Sequence, residues 1–560
     1  MPRLSVKPND VALSVFAGLS ARFWALIALT GVAAGISAGL LMRLLRAVQH
    51  ICYHYTSGNF QIAAMHVSPL RRVLVLLIAG CVAALVVWAL KKRPGGEGYE
   101  LTESVWFRSG RTQATPLAIQ AVLAMTLVGM GGSLGRERSP KQMAAAFATL
   151  LMHKVRLSPS EGRLLLACAA GAGMGAVYNV PLGGALFALE VLLGTLSLPL
   201  VPPAVAASGL ATAVSWLVIP DHPTYHVAHY TLTPGEMVWS LLIGPLAGCA
   251  SVAFVRAIAY AHVHKPRHGP KVLLPIVVFT ALGALAIPFP QLLGNGRGTT
   301  QLLFLGQIAT PILVALLVLK PLATAACLGS GAPGGLFTPS ITYGALLGGL
   351  LGHLWSGVWP GAPPGSYAII GATAVLAAAM QAPLAALVLM VELTHHILAL
   401  MVPMLLAVTG ATVTARAIDA RSVYSARVTA LRRLPPVPVH TLGQGGEEIS
   451  GERREPMSVG APYTEILERI AAGGAREPVY VVDEQGLFAG WVMPQALETR
   501  GLMPVLQVGA VGDVVTRVQP LHPRLSASAS REALTQSPCG ELPLVAPDGR
   551  LLAVVRRDPA

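Results

Sequence analysis

The chain has 560 residues, of which 54% are hydrophobic and only 12% are charged, and its mean hydropathy is +0.62. Soluble globular proteins are typically about one-quarter charged, so these values exclude that class and indicate a polytopic membrane protein. The formal net charge of +14 does not indicate a nucleic-acid partner, because the basic residues lie at the ends of apolar stretches and in a tail, without a basic stripe and exposed aromatic residues.

Apolar stretches long enough to cross a bilayer, roughly 17 to 25 residues each, recur from Phe23 to Ile418. They predict an all-α domain over residues 1–430, in a multi-pass protein of a bacterial inner or plasma membrane. Residues 1–20 are mixed polar and the next stretch is long enough to stay in the membrane, so we expect no cleavable signal peptide. Basic clusters after the second and last spans place those ends in the cytoplasm, although arginines around the first connection count against this orientation.

Glycine, proline and serine interrupt several of these spans at membrane depth. Examples are "GGSLGRERSP" (131–140), "GAVYNVPLGG" (175–184) and "GSGAPGGLFTPS" (329–340). Interrupted helices are tolerated in a bilayer only where the freed backbone groups are buried in protein or line a wet cavity. The interruptions therefore indicate a permeation or binding site.

Two segments resemble copies of each other. The segments "NVPLGGALFALEV" (179–191) and "QAPLAALVLMVEL" (381–393) each place Pro-Leu before an apolar helix, with a glutamate nine positions after the proline. These glutamates are Glu190 and Glu392, and each segment follows a Gly-rich interruption at a similar distance. The pairing predicts two inverted repeats that meet around a site at the membrane midplane. Small-residue motifs that only allow close helix packing are the alternative interpretation.

A charged triplet, Arg136, Glu137 and Arg138, lies in the first interruption. A helix N-terminus carries about half a positive charge and several unpaired N–H groups, so interruptions that open into helices at membrane depth favour an anion. We expect the interruptions at 131–140 and 329–340 to converge, with Glu137 acting as a tethered anion that leaves the pathway when protonated or displaced. Ionisable residues inside membranes are functional by default. A structural salt bridge to a neighbouring arginine is the alternative.

The region from about residue 20 to 430 resembles the CLC chloride channels and proton/chloride exchangers, which are homodimers with an anion pathway in each subunit. The second filter motif of that family, Gly-Arg-Glu-Gly-Pro, is partly matched at Gly135-Arg136-Glu137, where the Gly-Pro is lost. The third, Gly-x-Phe-x-Pro, is matched by the segment from Gly335 to Pro339. The resemblance implies that Glu137 is a gate, that Arg136 lies at the anion site, and that Leu336 and Phe337 supply chloride-binding amides.

Two further family features are matched less completely. Tyr424 in "SVYSA" matches an anion-coordinating tyrosine, although a tyrosine near a helix end also commonly marks the membrane interface. The first filter motif, Gly-Ser-Gly-Ile-Pro, is matched by "GGEGYELTE" (95–103), in which Gly96 and Gly98 flank Glu97. A carboxylate at Glu97 repels chloride unless it is protonated or points away, or unless the alignment is shifted.

One position bears on the transport mechanism. Exchangers of the family usually carry a proton-transferring glutamate directly after the residue that matches Glu190, and this chain has Val191 there. Valine cannot carry a proton, and the channels of the family also have an apolar residue at this position. The resemblance therefore implies passive transport of chloride and similar anions, with proton-coupled exchange as the alternative. A fluoride-exporting branch fits less well, because the third motif and Tyr424 are of the chloride type.

The composition changes after Leu431. Residues 431–456 indicate a polar linker rich in proline and glycine, and residues 457–560 a small soluble α/β unit on the cytoplasmic side. The segments "PVYVVDEQGLFAGWV" (478–492) and "LPLVAPDGRLLAVV" (542–555) each predict a strand, an Asp/Gly turn and a second strand. This unit resembles a tandem pair of CBS modules, a regulatory domain that often binds adenine nucleotides. A structural or dimerisation role is an equal alternative.

A competing class is an intramembrane metalloprotease with CBS modules appended. That chemistry needs His-Glu-x-x-His on a membrane helix, and the nearest segment, "ELTHH" (392–396), has the wrong order. The chain also lacks a Walker-type phosphate loop, which removes support for ATP-driven transport. We therefore expect a transporter without enzymatic activity, metal or cofactor in its membrane domain.

Overall fold

A computed structural model gives the fold of the chain. It describes residues 19–92, 100–107, 110, 112–155, 157, 159–264, 273–395, 397–419, 421–426, 438–442, 448–452, 456–461, 465, 469, 478–483, 486–493, 537, 541–545 and 551–556. The chain divides into two compact units. The first comprises Met1–Thr102, Thr112–Arg156 and Leu164–Arg432, and the second comprises Glu103–Arg111, Leu157–Arg163 and Arg433–Ala560.

Helices dominate the chain up to Ile418. In chain order they are α1 (Ala21–Tyr53), α2 (Phe60–His66), α3 (Pro69–Lys91), α4 (Leu101–Phe107), α5 (Ala114–Gly129), α6 (Arg138–Lys154), α7 (Pro159–Tyr178), α8 (Pro181–Leu186), α9 (Val201–Ser215), α10 (Pro234–Val263), α11 (Leu274–Leu285), α12 (Arg297–Phe304), α13 (Thr310–Gly329), α14 (Phe337–Ser356), α15 (Pro364–Met380), α16 (Pro383–Thr394) and α17 (Met401–Ile418). A π-helical segment, Phe187–Leu193, continues α8, and short 3₁₀ turns lie at Leu198–Leu200, Pro290–Leu292 and Leu398–Leu400. Within the described ranges, six helical segments are long and apolar enough to cross a membrane: Ala21–Tyr53, Pro69–Leu90, Leu198–Ser215, Pro234–Val263, Thr310–Gly329 and Leu398–Ile418.

Small residues let the long helices pack closely in matching pairs. A Cβ added at Gly31 of α1 would lie 2.8 Å from the carbonyl oxygen of Ala207 in α9. In the second half of the unit, a Cβ at Gly248 of α10 would lie 2.7 Å from the carbonyl oxygen of Ala411 in α17. Only glycine allows backbones to approach so closely, which is a common way for helices to associate in membranes.

The two predicted repeats have matching backbones. Gly131 and Gly331 lie near the start of the two interruptions and have φ angles of 96° and 98°. Asn179 and Gln381, which each lie two residues before the proline of a Pro-Leu motif, have φ angles of 59° and 56°. Because few residues other than glycine adopt positive φ, this agreement is not expected of unrelated loops. The repeats predicted from the spacing of proline and glutamate are therefore present in the backbone.

The centre of the first unit is the alanine-rich helix α15. All of its residues from Gly365 to Met380 are buried, and it packs against α14, α10 and α17. A helix that is apolar on every side is typical of a protein interior. Helix α14, which begins directly after the second interruption, is thus supported by a fully buried neighbour.

The second unit contains two sheets within its described residues. Its strands are β1 (Pro438–Leu442), β2 (Glu448–Glu452), β3 (Met457–Ser458), β4 (Val479–Val482), β5 (Phe488–Val492), β6 (Glu541–Val545) and β7 (Leu551–Arg556). The sheet orders are β1-β2-β7-β6 and β3-β4-β5, with β3 parallel to β4 and the remaining pairs antiparallel.

Both strand–turn–strand units predicted in the tail are confirmed as antiparallel pairs, β4 with β5 and β6 with β7. The predicted linker 431–456 differs, because it contains β1 and β2. Its Pro/Gly-rich composition does not indicate strands. The two strands pair with each other, and β2 joins the rest of the sheet through its distant pairing with β7. The amphipathic stretch expected before β4, around Ile466, Leu467 and Ile470, lies outside the described residues.

Candidate functional site

The two interruptions meet at a pair of glycines. The N–H of Gly135 donates to the carbonyl oxygen of Gly335 at 2.8 Å, and the N–H of Gly335 donates back to Gly135 at 2.9 Å. The two residues thus form an antiparallel bridge. Such a reciprocal pair of hydrogen bonds is the arrangement expected where a pseudo-two-fold axis relates the two repeats. The convergence predicted from the sequence is confirmed, and it brings the start of α6 beside the start of α14.

Glu137 directs its carboxylate into the opposite repeat. It is the N-cap residue of α6 but makes no side-chain cap bond to that helix. Its Oε1 instead accepts a hydrogen bond of 2.7 Å from the backbone N–H of Phe337, the first residue of α14. The side chain is 0% exposed. A buried carboxylate is costly unless it is hydrogen-bonded. The N-terminus of α14 supplies both a hydrogen-bond donor and a partial positive charge.

Two hydroxyl groups surround the other oxygen of this carboxylate. Tyr178 Oη lies 3.3 Å and Thr338 Oγ1 lies 3.4 Å from Glu137 Oε2, so that either hydroxyl can donate to this oxygen. The two hydroxyls are 2.6 Å apart. Sequence reasoning did not identify either residue as functional. Tyr178 lies in the quoted segment "GAVYNVPLGG" and Thr338 in the third filter motif, but no spacing rule predicts that the two meet across the repeats.

The neighbouring arginines have other partners. The guanidinium group of Arg136 lies over the ring of Tyr178 at 4.7 Å and is only 5% exposed. Arg138 forms an ion pair with Glu100 at 3.0 Å and donates to Gln120. Among the described residues, neither arginine forms an ion pair with Glu137. The alternative interpretation of Glu137 as half of a local salt bridge is therefore wrong for this conformation.

Tyr424 lies beside the first turn of α6. Its ring packs edge-on against Phe187 at 5.7 Å, and Lys141 Nζ lies 5.1 Å from the centre of the Tyr424 ring and 4.5 Å from that of Phe187. Tyr424 is half-buried. The predicted tyrosine is thus close to the helix that follows Glu137, whereas the Glu137 carboxylate itself points toward α14.

The glutamate of each repeat motif accepts hydrogen bonds from the backbone of the other repeat. Glu392 accepts hydrogen bonds from the N–H groups of Leu182 and Gly183 at the start of α8, at 3.0 and 2.6 Å. Glu190 accepts from Leu384 and Ala385 at the start of α16, at 3.4 and 2.6 Å. Each carboxylate therefore caps the N-terminus of the other repeat's helix, where negative charge is stabilising.

Val191 follows Glu190 in the π-helical segment and is buried. The left-handed residue that ends this helix, Gly194, lies thirteen residues after Pro181, whereas its counterpart His395 lies twelve residues after Pro383. The wider π turn takes up the extra residue. The position matched to a proton-carrying glutamate is thus an apolar side chain in the interior.

The remaining predicted residues fall into two groups. Leu336, Phe337 and Pro339 are buried at the start of α14. Gly96 and Gly98, from the candidate first filter motif, lie outside the described residues. Within the described part of the chain, no group of three or more His, Cys, Asp or Glu side chains could hold a metal ion.

Comparison with known proteins gives consistent matches. A family model described as "Voltage gated chloride channel" matches residues 80–416, more than half of the chain. A "Putative chloride channel protein ClcB-like" from Ralstonia nicotianae is 32% identical over 388 residues, covering 65% of this chain and 88% of the relative. An "H(+)/Cl(-) exchange transporter ClcA" from Cronobacter sakazakii is 29% identical over 422 residues, covering 71% of this chain and 88% of the relative. The fold is similar to that of a slow cyanobacterial Cl−/H+ antiporter, with a TM-score of 0.65 and 20% identity, over 74% of this chain and 100% of the other.

Proposed function

From the premise that the chain belongs to the voltage-gated chloride channel family, a family of multi-pass membrane proteins that transport chloride, we propose that Glu137 opens and closes its chloride pathway. The Glu137 carboxylate then competes with the transported anion for the same binding position. Transport is closed while the ionised carboxylate is docked at the start of α14. It opens when protonation or a competing anion releases the carboxylate.

One observation carries this proposal. Glu137 Oε1 accepts a 2.7 Å hydrogen bond from the N–H of Phe337 at the N-terminus of α14. A helix N-terminus presents unpaired N–H groups and a partial positive charge, which suit any small anion. A chloride ion that accepts from the same N–H cannot be present together with the carboxylate. The hydrogen bond therefore supports direct competition for one place.

The same geometry gives the pathway a dependence on pH. A protonated carboxyl group loses its attraction to the partial positive charge of α14, so an anion replaces it more readily. Because a single N–H and a helix end bind an anion without a full cationic side chain, the ion is also free to leave, which conduction requires. Flux is therefore expected to rise as the pH falls.

We propose passive conduction as the mode of transport, because Val191 occupies the matching position of the exchangers' proton-carrying glutamate. Glu190, the adjacent carboxylate, supports this proposal because it is engaged in capping α16. Proton-coupled exchange is the second candidate, and the similarity to an H(+)/Cl(-) exchange transporter favours it. The two candidates differ in whether chloride movement carries protons.

We further propose a homodimer in a bacterial inner or plasma membrane, with the second unit on the cytoplasmic side. The relatives from Ralstonia and Cronobacter support a bacterial membrane. The two antiparallel strand pairs of the second unit support its resemblance to a CBS pair. An adenine nucleotide is the ligand class that this resemblance implies, and a dimerisation role is the alternative.

The test is chloride efflux from proteoliposomes with simultaneous recording of external pH. We expect efflux that rises on acidification and carries no stoichiometric proton flux. Proton movement in a fixed ratio to chloride would instead establish the exchanger. The absence of chloride efflux above that of protein-free liposomes, from a folded preparation at acidic pH, would refute the proposal.

A further inference from the structure

We propose that the hydroxyl groups of Tyr178 and Thr338 form a latch that holds the Glu137 carboxylate in its closed position. This inference rests on the proposed gating role of Glu137 and adds two positioning residues to it. Both residues act through Glu137, because their hydroxyl oxygens lie within 3.4 Å of Glu137 Oε2.

The latch residues come from different parts of the chain. Tyr178 is the last residue of α7, and its carbonyl oxygen accepts a hydrogen bond of 3.1 Å from Thr224 Oγ1. Thr338 is the second residue of α14, directly after the N–H donor Phe337. The centre of the Tyr178 ring also lies 4.7 Å from the guanidinium carbon of Arg136 and 5.4 Å from the centre of the Phe337 ring. These contacts fix the tyrosine hydroxyl beside the carboxylate.

Counting protons shows how the two hydroxyls work as a unit. Each hydroxyl has one proton, and the 2.6 Å contact between them uses one of the two. The other proton is left for Glu137 Oε2, from Tyr178 in one arrangement and from Thr338 in the other. The pair therefore supplies one donor to Oε2 in either arrangement, while the N–H of Phe337 serves Oε1.

This count predicts a non-additive response to mutation. Tyr178→Phe removes one hydroxyl but leaves Thr338 able to donate to Oε2, and Thr338→Val leaves Tyr178 able to do so. Only the double variant removes both donors to this oxygen. The closed state should therefore be weakened slightly by either single substitution and strongly by the two together, as expected for residues in one hydrogen-bonded network.

The experiment measures chloride efflux from proteoliposomes as a function of pH for the two single variants and the double variant. Losing a donor to the ionised carboxylate favours release, so the pH of half-maximal flux should move upward. We expect roughly one pH unit in the double variant, equivalent to about 1.4 kcal/mol, and less than half of that in each single variant. Thr338→Ser combined with Tyr178→Phe restores one hydroxyl and should return the profile to that of Tyr178→Phe alone.

Matched controls separate the latch from a loss of packing. Tyr230→Phe removes another buried tyrosine hydroxyl, which donates to Phe304 rather than to Glu137. Thr373→Val removes a buried threonine hydroxyl that donates to Ile369. Neither control should move the pH profile. If the double variant is poorly folded, Thr338→Ala with Tyr178→Phe removes the same donors with a smaller side chain.

The outcome in a Glu137→Gln background distinguishes a failure of the latch from a failure of the gate. If the gate is correct, Glu137→Gln is nearly independent of pH, and adding the double latch variant changes its profile no further. A latch variant that shifts the wild-type profile no more than the controls do, while Glu137→Gln removes the pH dependence, overturns the latch and leaves the gate. Unchanged pH dependence in Glu137→Gln overturns both.

Discussion

The two interruptions share a backbone and differ in their side chains. Gly131 and Gly331 adopt nearly the same left-handed conformation, and Gly135 and Gly335 exchange backbone hydrogen bonds. At the position where the first interruption has Glu137, the second has Phe337. The first repeat thus contributes a carboxylate and the second contributes the N–H that receives it. The repeated backbone makes the site symmetric. The difference between Glu137 and Phe337 then gives its two halves opposite roles.

The same contrast appears in the supporting residues. Glu190 and Glu392 are kept in both repeats and cap each other's helices reciprocally. Gln120 and Lys320 each lie nine residues before the end of the helix that leads into an interruption, yet they differ in side chain. Symmetric positions are therefore expected to support the scaffold equally, whereas asymmetric ones should show effects confined to one half.

Replacing Lys320 with glutamine gives the second repeat the residue of the first and should have the largest effect on stability. Lys320 is 1% exposed, and its Nζ donates to the carbonyl oxygens of Leu292 and Gly294 at 2.9 Å each. The shorter side chain loses both bonds and leaves two buried carbonyl oxygens without this donor, so we expect a loss of about 2–4 kcal/mol. Thermal unfolding of purified protein in detergent measures it.

Gln61→Leu is the matched control, because Gln61 Nε2 donates a single bond to Leu293 in the same loop. This single bond should contribute less, about 1 kcal/mol. A Lys320→Gln variant that unfolds no earlier than Gln61→Leu would show that the two bonds of Lys320 give the second repeat no special support.

Glu137→Gln removes the carboxylate that distinguishes the first interruption from the second and should raise flux at neutral pH by tenfold or more. The hydrogen bond that holds the ionised carboxylate in place contributes about 1.5–3 kcal/mol, and a loss of about 1.4 kcal/mol changes the closed-to-open ratio by a factor of ten. Flux should also become nearly independent of pH. Efflux assays between acidic and neutral pH measure both effects, and a variant that retains the wild-type profile would contradict the gating role.

Glu190→Gln and Glu392→Gln test the symmetric part of the comparison. Each substitution removes a negative charge from two backbone N–H groups at a helix start, and we expect each to lower stability by about 1 kcal/mol. The two losses should be similar in size, because each carboxylate has one bond of 2.6 Å and one weaker bond. If the two variants lower the unfolding midpoint by amounts that differ severalfold, the two repeats are not supported equally.

Gly335→Ala should produce the smallest effect. An added methyl group would contact the carboxyl group of Glu137, which is the flexible end of a side chain. We expect the carboxylate to move and flux at neutral pH to rise about threefold, which is equivalent to about 0.7 kcal/mol. Gly349→Ala, in the helix α14 that follows, is the control, because its nearest neighbours are 3.8 Å away. Equal flux in the two variants would show that the methyl group does not disturb the gate.

Local sequence patterns predicted the parts of the site that depend on local rules. The spacing of proline and glutamate in the two copied segments indicated the repeats, and the Gly-rich interruptions indicated helix starts that converge. What these patterns could not supply were contacts between distant segments. The hydroxyl pair of Tyr178 and Thr338 and the bonds from Lys320 to Leu292 and Gly294 depend on tertiary packing. The same holds for the pairing of Arg138 with Glu100, which the sequence did not suggest.

The most direct test of the central claim is bromide anomalous scattering from crystals of the wild-type protein and of Glu137→Ala at neutral pH. If carboxylate and anion compete for one place, the variant should show a bromide peak within hydrogen-bonding distance of the Phe337 N–H, where the wild type shows the carboxylate. A peak of equal height at that N–H in both proteins would contradict the account. So would its absence from the variant while bromide is bound elsewhere in the pathway.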